Sequence, residues 1–277
     1  METDATITNF INEGSASVPG WFHNRDMALF FYLTKLQGKV AKVEGDICEV
    51  GVYAGKSLIL LGMMSNPKEK LVAMDLFLED FLEQTQANMK QFCPSVENVE
   101  YVKCETSELS VDGVQKHFPR PLRFLHIDAG HEYHEVLHSL VVLAPYVANG
   151  GIIVMDDYHD REFPGIEAAT LDFCAITSPR QFVPFVVGHN KIYLTTPRHA
   201  HLYMKALLKQ PRFADKCRPS RIRDHQLLVP YSKRPLPNEQ ILKLLSADEV
   251  PYRYDIDEQT LAEKAINYAQ FRAAGKI

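Results

Sequence analysis

The chain has 277 residues, of which 46% are hydrophobic and 23% charged, and its formal net charge is −5 at pH 7. This composition supplies a substantial apolar core and excludes intrinsically disordered, collagen-like and small disulfide-rich proteins. Five cysteines without a C-x-x-C pair fit a reducing compartment, so we expect a cytoplasmic protein.

Charge is unevenly distributed along the chain. Residues 198–277 contain 15 lysines and arginines and nine acidic residues, which leaves residues 1–197 with a net charge of −11. The basic segment does not interleave aromatic residues in a nucleic-acid recognition pattern, so we expect no nucleic-acid partner. The acidic first residues do not resemble a signal peptide, and the apolar runs are far shorter than the ~20 residues that span a bilayer, so we expect no membrane partner.

Short apolar segments alternate with helical patterns along most of the chain. A helical lead is predicted over 20–42, followed by strands at 46–51, 71–75, 99–103, 122–128 and 152–155 and by intervening helices at 57–64, 81–92, 111–117 and 132–147. This alternation predicts right-handed crossovers in a parallel sheet with helices on both faces.

The remaining residues predict an end to the sheet and an extension. After a helix at 166–173, the segments 182–187 and 191–195 predict an antiparallel strand pair. The proline-containing remainder predicts a tail or lid with helices near 199–210, 238–246 and 258–274. We therefore predict an α/β fold with a doubly wound, mostly parallel sheet of seven strands, organised as an N-terminal helical lead (1–44), a core (45–198) and a C-terminal basic extension (199–277).

The first predicted strand ends in a glycine turn, Glu49-Val-Gly51-Val-Tyr53-Ala-Gly55-Lys-Ser57. Two glycines four residues apart allow a ligand to approach backbone amides at a helix N-terminus. A phosphate-binding loop needs one more residue between the glycines, and a dinucleotide-binding loop needs G-x-G-x-x-G, so both fit poorly. The pattern E-x-G-x-x-x-G-x-S resembles the first motif of class I S-adenosylmethionine-dependent methyltransferases. This resemblance implies that the turn, including Tyr53, binds the cofactor and that Glu49 holds its amino group.

Acidic residues also follow the second and third predicted strands. Asp75 could accept two hydrogen bonds from a ribose diol, although an exposed aspartate capping a turn is an alternative. The methyltransferase resemblance implies that Glu105 lies beside the adenine of the cofactor.

Three carboxylates are expected to converge where the fourth and fifth strands end. Asp128 closes one strand, and Asp156 and Asp157 close the other. Crowded carboxylates repel each other unless a cation neutralises them, and oxygen donors favour a hard ion such as Mg²⁺. A helix N-cap and a turn are the alternative roles for Asp156 and Asp157.

Two motifs in this region narrow the resemblance. D-x-x-H at 128–131 and G-G-x-I-x-x-D-D-Y ending at Tyr158 resemble the metal-dependent methyltransferases related to macrocin O-methyltransferase. That resemblance implies a metal on Asp128, Asp156 and Asp157, with Asp128 also beside the cofactor and His131 as general base. Relatives commonly read I-D-G-x-H, whereas here the glycine comes one place later, at Gly130.

A second metal motif competes with this interpretation. His134-Glu135-Val-Leu-His138 fits the H-E-x-x-H pattern of zinc metallopeptidases. However, Asp156 follows an apolar strand rather than lying on a second helix, and the apolar residues of the crossover helix favour both histidines on its outer face. A zinc metallopeptidase therefore remains the remote alternative.

These patterns predict an S-adenosylmethionine-dependent O-methyltransferase that uses Mg²⁺ or another hard divalent ion. Its partner would be a small hydroxylated acceptor, such as a sugar or a natural-product intermediate. A cofactor-binding protein of the same fold that carries out no methyl transfer, or a different reaction, would show the same turn. A homo-oligomer is left open, because the apolar lead with Trp21 and Phe22 could pack on a second copy or close over the cofactor.

Overall fold

The structure is a computed structural model of the chain, and it describes residues 3–93, 97–176 and 181–247. The helices are α1 (Asp4–Asn12), α2 (Asn24–Leu36), α3 (Lys56–Met63), α4 (Phe81–Phe92), α5 (Val111–Gln115), α6 (Tyr133–Leu143), α7 (Pro164–Cys174), α8 (Pro197–Leu208) and α9 (Asn238–Ala247). The strands are β1 (Asp46–Val50), β2 (Leu71–Asp75), β3 (Val99–Lys103), β4 (Leu122–Ile127), β5 (Val147–Met155), β6 (Val183–Val187), β7 (Ile192–Thr195), β8 (Arg218–Ile222) and β9 (His225–Val229).

The strands form one mixed sheet in the order β3-β2-β1-β4-β5-β7-β6-β9-β8. Strands β1 to β5 are parallel, and β7 pairs antiparallel with both β5 and β6. This is the doubly wound α/β sheet that the sequence predicts, and its order reverses direction at β1 and β4. Ligands of such sheets lie at the carboxyl ends of the strands near that reversal.

The predicted count of seven strands is wrong, because the described residues form a nine-stranded sheet. The two additional strands come from the C-terminal extension: β9 pairs parallel with β6, and β8 forms a hairpin with β9. Strand β8 is largely exposed and reads Arg-Pro-Ser-Arg-Ile, so it lacks the apolar alternation on which strand prediction depends. The predicted helix at 258–274 lies outside the described residues.

Strand β5 begins earlier than predicted. It starts at Val147 instead of residue 152, and the predicted long helix before it ends at Leu143 and is followed by a 3₁₀ turn. The register of β4 and β5 shifts between the pairs Leu122–Val147 and Phe124–Ile152, so β5 carries more residues than β4 over this interval, which is an irregularity in the ladder.

The lead and the extension share their apolar core with the sheet. Ile7 and Phe10 of α1 and Phe30 of α2 lie in the same buried cluster as Phe124 of β4, and Tyr203 of α8 belongs to it as well. The Tyr203 hydroxyl donates to the carbonyl of Gly150, 2.7 Å away. In the described part of the chain, none of the helices has the length and apolar character needed to cross a membrane.

Candidate functional site

The glycine turn connects β1 to α3 and lies against the end of β4. Gly51 has φ 84°, and a Cβ atom built on it would lie 1.8 Å from the carbonyl oxygen of Asp128, so only glycine fits this position. Gly55 is the N-cap of α3, and Ser57 lies in its first turn. Backbone amides at the start of this helix therefore face the carboxyl edge of the sheet, which is an arrangement suited to a polar ligand.

Asp75 is bound to the glycine turn. One of its carboxylate oxygens accepts from the backbone amides of Val52 at 2.5 Å and Tyr53 at 3.1 Å, and the other accepts from the amide of Phe77 at 2.7 Å. The residue therefore holds two loops of this edge together. A carboxylate oxygen can accept more than one hydrogen bond, so this role leaves acceptor capacity on Asp75 for a hydroxyl.

An aromatic group lies beside the same turn. Tyr53 is 40% exposed, its ring stacks with that of Trp21 at a centroid distance of 6.1 Å, and it contacts the ring of Phe81 at 4.5 Å. Trp21 itself is 89% exposed. Glu105 is also exposed and accepts from the Ser107 hydroxyl at 2.9 Å. The turn is thus bordered by an apolar surface that is open to solvent.

A chain of buried charged groups runs beneath the ends of β1, β4 and β5. Glu49 is fully buried, and its Oε1 lies 2.7 Å from Nδ1 of His126, which is also buried. The other ring nitrogen of His126 lies 3.5 Å from Asp156 Oδ2, and that oxygen also accepts from the buried ammonium of Lys191. Glu49 Oε2 is buried without a hydrogen-bond partner, so this series of buried charged groups ends in an unsatisfied acceptor.

The pKa values follow from these contacts. Burial by itself would lower the pKa of His126, but the neighbouring carboxylates of Asp156 and Glu49 raise it to about 9. Burial opposes ionisation of Asp156 as well, yet the neighbouring Lys191 ammonium and His126 lower its pKa below the ordinary value. For Lys191, the attraction of Asp156 and Asp128 outweighs burial and raises the pKa. Both cations are therefore charged at neutral pH.

The helical lead completes the surroundings of Lys191. Asp26 of α2 is fully buried and accepts from the backbone amide of His189 at 3.1 Å and from the hydroxyl of Tyr193 at 3.1 Å. The ring of Phe22 lies over the Lys191 ammonium at 4.9 Å. The lead thus contributes a carboxylate and an aromatic cover to the site, and the ammonium is shielded from water.

Asp128, His131 and Asp157 form the more open part of the site. Nε2 of His131 lies 3.4 Å from Oδ2 of Asp157, and the imidazole is 41% exposed and packs against the ring of Phe163. Burial and the neighbouring Asp156 raise the pKa of both Asp128 and Asp157. Asp157 has φ 51°, a backbone conformation that non-glycine residues adopt at a cost and that often marks functional positions.

The shifted glycine of the D-x-x-H motif has a structural reason. Gly130 has φ 68°, and a Cβ atom there would lie 2.7 Å from Cβ of Glu135 at the start of α6. The turn between β4 and α6 therefore requires glycine at 130, and with it His131 still reaches the Asp157 carboxylate.

The three carboxylates predicted to share a metal do not form one ligand group. Among the described residues, donor atoms come within 4.8 Å of one another in two groups: His126, Asp128 and Asp156, and Asp128, His131 and Asp157. Asp156 has both oxygens engaged, since Oδ2 binds Lys191 and Oδ1 accepts from the amide of Asp157 at 2.8 Å. The predicted donor set therefore does not fit a divalent ion in this arrangement.

The H-E-x-x-H motif has a structural role on α6. Glu135 and Glu132 form a reciprocal capping box at the start of the helix, and Nε2 of His138 lies 2.8 Å from the carbonyl oxygen of Leu109. His134 is exposed, and neither histidine belongs to a group of potential metal ligands in the described chain. The zinc-site prediction thus finds no support in the geometry.

Three members of the site, His126, Lys191 and Asp26, were not identified from the sequence. Each is a charged or polar residue within an apolar segment: His126 inside the strand Leu122–Ile127, Lys191 directly before β7, and Asp26 just before the apolar run of α2. A buried titratable group needs a charged or hydrogen-bonding partner, so a single charged or polar residue within an apolar segment is the sequence signal that could have identified these three residues.

Comparisons with known proteins agree with the fold. Residues 48–158 match a family model described as a methyltransferase domain. An uncharacterised protein, R132 of Acanthamoeba polyphaga mimivirus, is 29% identical over 191 residues, which cover 65% of this chain and 86% of that protein. Among solved structures, the O-methyltransferase NovP superposes with a TM-score of 0.53 at 17% identity, covering 63% of this chain and 80% of NovP. The TDP-rhamnose 3'-O-methyltransferase CalS11 superposes with a TM-score of 0.49 at 16% identity, covering 69% and 91%.

Proposed function

Because the chain carries a class I S-adenosylmethionine-dependent methyltransferase domain, we propose that it transfers a methyl group to a hydroxyl of a small molecule, such as a sugar or a natural-product intermediate. The observation that carries this proposal is the pairing of His131 with Asp157 beside the glycine turn. A base at this place can take a proton from an acceptor that faces the cofactor. The likeness to NovP, an O-methyltransferase, supports the choice of oxygen as the nucleophile.

In the proposed complex, the glycine turn binds the methionine part of S-adenosylmethionine. The unpartnered Glu49 Oε2 accepts from the cofactor's amino group, since that donor would give this buried oxygen a hydrogen-bond partner. Asp75 accepts from the ribose hydroxyls while it continues to bind the amides of Val52 and Tyr53. Glu105, at the end of β3, lies on the adenine side.

His131 acts as the general base in this proposal. Its ring nitrogen lies 3.4 Å from Asp157, which orients the imidazole and stabilises the imidazolium that forms when a proton is taken up. When bound, S-adenosylmethionine would supply a methyl group to the oxygen from which His131 has taken the proton, and S-adenosylhomocysteine would be the product. The protein contributes alignment and charge, while the cofactor supplies the reactive methyl group.

We assign no step to a metal ion. The sequence predicts Mg²⁺ on Asp128, Asp156 and Asp157, but Asp156 is engaged by Lys191 and by the amide of Asp157. An ion on the remaining group of Asp128, His131 and Asp157 would use His131 as a ligand and remove it as a base. A base at His131 and a metal held by Asp128, His131 and Asp157 are therefore alternatives in this arrangement.

The test is formation of S-adenosylhomocysteine in the presence of a panel of hydroxylated acceptors, with His131→Ala and His134→Ala compared. General-base catalysis contributes about 10² to 10⁴ in rate, so His131→Ala should lose at least about a hundredfold in kcat while it retains affinity for S-adenosylhomocysteine. His134 lies on the exposed side of α6 and serves as the matched control. An unchanged kcat in His131→Ala would remove the base from the proposal.

The alternative is a cofactor-binding protein without methyl transfer. It predicts tight binding of S-adenosylmethionine but no S-adenosylhomocysteine with any acceptor of the panel. Calorimetric titration of the cofactor, performed beside the turnover assay, distinguishes the two functions.

A further inference from the structure

The buried ammonium of Lys191 lies at the place for which the sequence predicts a divalent ion. Its Nζ donates to Asp156 Oδ2, and Asp128 and Asp26 attract the same charge. The side chain is fully buried at the beginning of β7. A cation is thus already present among the carboxylates, and it belongs to the protein.

The surroundings hold this ammonium in a fixed position. The ring of Phe22 covers it at 4.9 Å, and His126 approaches the same Asp156 oxygen from the other side at 3.5 Å. The second oxygen of Asp156 is occupied by the amide of Asp157 at 2.8 Å. A metal that coordinated Asp156 directly would therefore have to share its oxygens with a buried ammonium or with a backbone amide, or displace one of these donors.

We propose that Lys191 is an internal counter-ion that replaces a divalent metal at Asp156. A metal that approached this carboxylate would meet the fixed ammonium of Lys191 in a poorly solvated site where repulsion is weakly screened. Mg²⁺ also requires several oxygen ligands in near-octahedral geometry, and each oxygen of Asp156 would have to be shared with a donor that already binds it. Lys191 is a positioning residue here, because it acts on the site through Asp156.

The inference concerns the site of the proposed function, but its test does not depend on methyl transfer. Mn²⁺ is the probe, and its binding is measured by the loss of the free-ion paramagnetic resonance signal on titration of the full chain. Four proteins are compared: the unaltered chain, Lys191→Met, the double variant Lys191→Met/Asp156→Asn, and Lys39→Met. Lys39 is an exposed lysine on the turn after α2, so its substitution controls for the loss of one positive charge.

Lys191→Met should bind one Mn²⁺ at least about tenfold more tightly than the unaltered chain, a difference that corresponds to one decade in Kd. The methionine leaves Asp128 and Asp156 without their ammonium, and a divalent ion can then neutralise them. Adding Asp156→Asn should abolish the gain, and Lys39→Met should behave like the unaltered chain. Equal Mn²⁺ affinity in Lys191→Met and the unaltered chain would overturn the proposal, and so would a gain that persists in the double variant.

Asp156→Asn alone keeps the proposal testable if Lys191→Met does not fold. This substitution should leave Mn²⁺ affinity within about threefold of that of the unaltered chain, well under the decade expected for loss of a metal ligand. A loss of tenfold or more would show that Asp156 is a ligand and that Lys191 does not replace the metal. Binding of S-adenosylhomocysteine verifies that each variant is folded, and a chain that forms no methylated product can still show this pattern of Mn²⁺ binding.

Discussion

Raising the pH from 6.5 to about 9 should lower the free energy of unfolding, because His126 holds its proton more tightly in the folded chain than in the unfolded chain. Burial alone would lower the pKa of His126, and the neighbouring carboxylates of Asp156 and Glu49 reverse this and raise it to about 9. Each pKa unit corresponds to ~1.4 kcal/mol, so the raised pKa contributes about 3 kcal/mol. A group whose pKa is higher in the folded chain stabilises the fold fully when the pH is below its pKa in the unfolded chain. The contribution of His126 is therefore complete below pH 6.5 and is lost as the pH passes about 9.

Urea unfolding followed by far-ultraviolet circular dichroism at a series of pH values measures this loss. Trp21 is 89% exposed and the only tryptophan, so its fluorescence is a poor reporter of the core. The free energy of unfolding of His126→Gln should not fall over this pH range. In His134→Gln, which changes an exposed histidine of α6, it should fall as in the unaltered chain. Burial lowers the pKa values of His23 and His225, so their titration falls below this pH window. The same loss in His126→Gln as in the unaltered chain would refute the reasoning.

Two further substitutions test the cofactor edge. Gly51→Ala should prevent S-adenosylhomocysteine binding in calorimetric titration and destabilise the fold by more than ~1 kcal/mol, because the added Cβ would lie 1.8 Å from the Asp128 carbonyl oxygen at a positive φ. Gly38→Ala is the control, because no atom lies within 4 Å of a Cβ at Gly38. Equal binding and stability in the two variants would contradict the steric argument. Asp75→Asn should weaken the binding of S-adenosylhomocysteine about tenfold, because it removes a charged hydrogen-bond acceptor. Asp80→Asn should leave this affinity unchanged, since Asp80 caps α4 without a side-chain hydrogen bond. An unchanged affinity in Asp75→Asn would exclude Asp75 from the ribose site.

The central sheet could be predicted because its strands are short, mostly apolar segments that alternate with helical patterns. Every residue of β1 and β4 is buried, and the carboxylates that end β2, β4 and β5 lie at one edge as the parallel order requires. Strand β8 carries no such signal, since Arg218–Ile222 is exposed and depends on its partner β9 for a place in the sheet. Pairing of this kind is decided by tertiary contacts rather than by local sequence.

The candidate site was predictable only as far as individual strand ends. The sequence indicates that Asp128 and Asp156 converge, but their neutralising partner comes from a different part of the chain. Lys191 reaches Asp156 across 35 residues, and Asp26 reaches the amide of His189 across 163. A charge pattern indicates that carboxylates need a cation, whereas only the packing of the lead and of β7 against the sheet decides that a lysine supplies it.

The balance of charge in the site fits the chemistry of the proposed reaction. Lys191 and His126 are cations, and the carboxyl groups of Asp26, Glu49, Asp128 and Asp156 lie around them, with the pKa of Asp26 and of Asp128 raised by burial. S-adenosylmethionine brings a positive sulfonium, and methyl transfer converts that sulfur to a neutral thioether, so added positive charge in the site disfavours the reactant relative to the product. A divalent metal at Asp156 would add two positive charges beside these two cations. Lys191 neutralises Asp156 with a single charge, which is why an internal lysine suits a cofactor that is itself a cation.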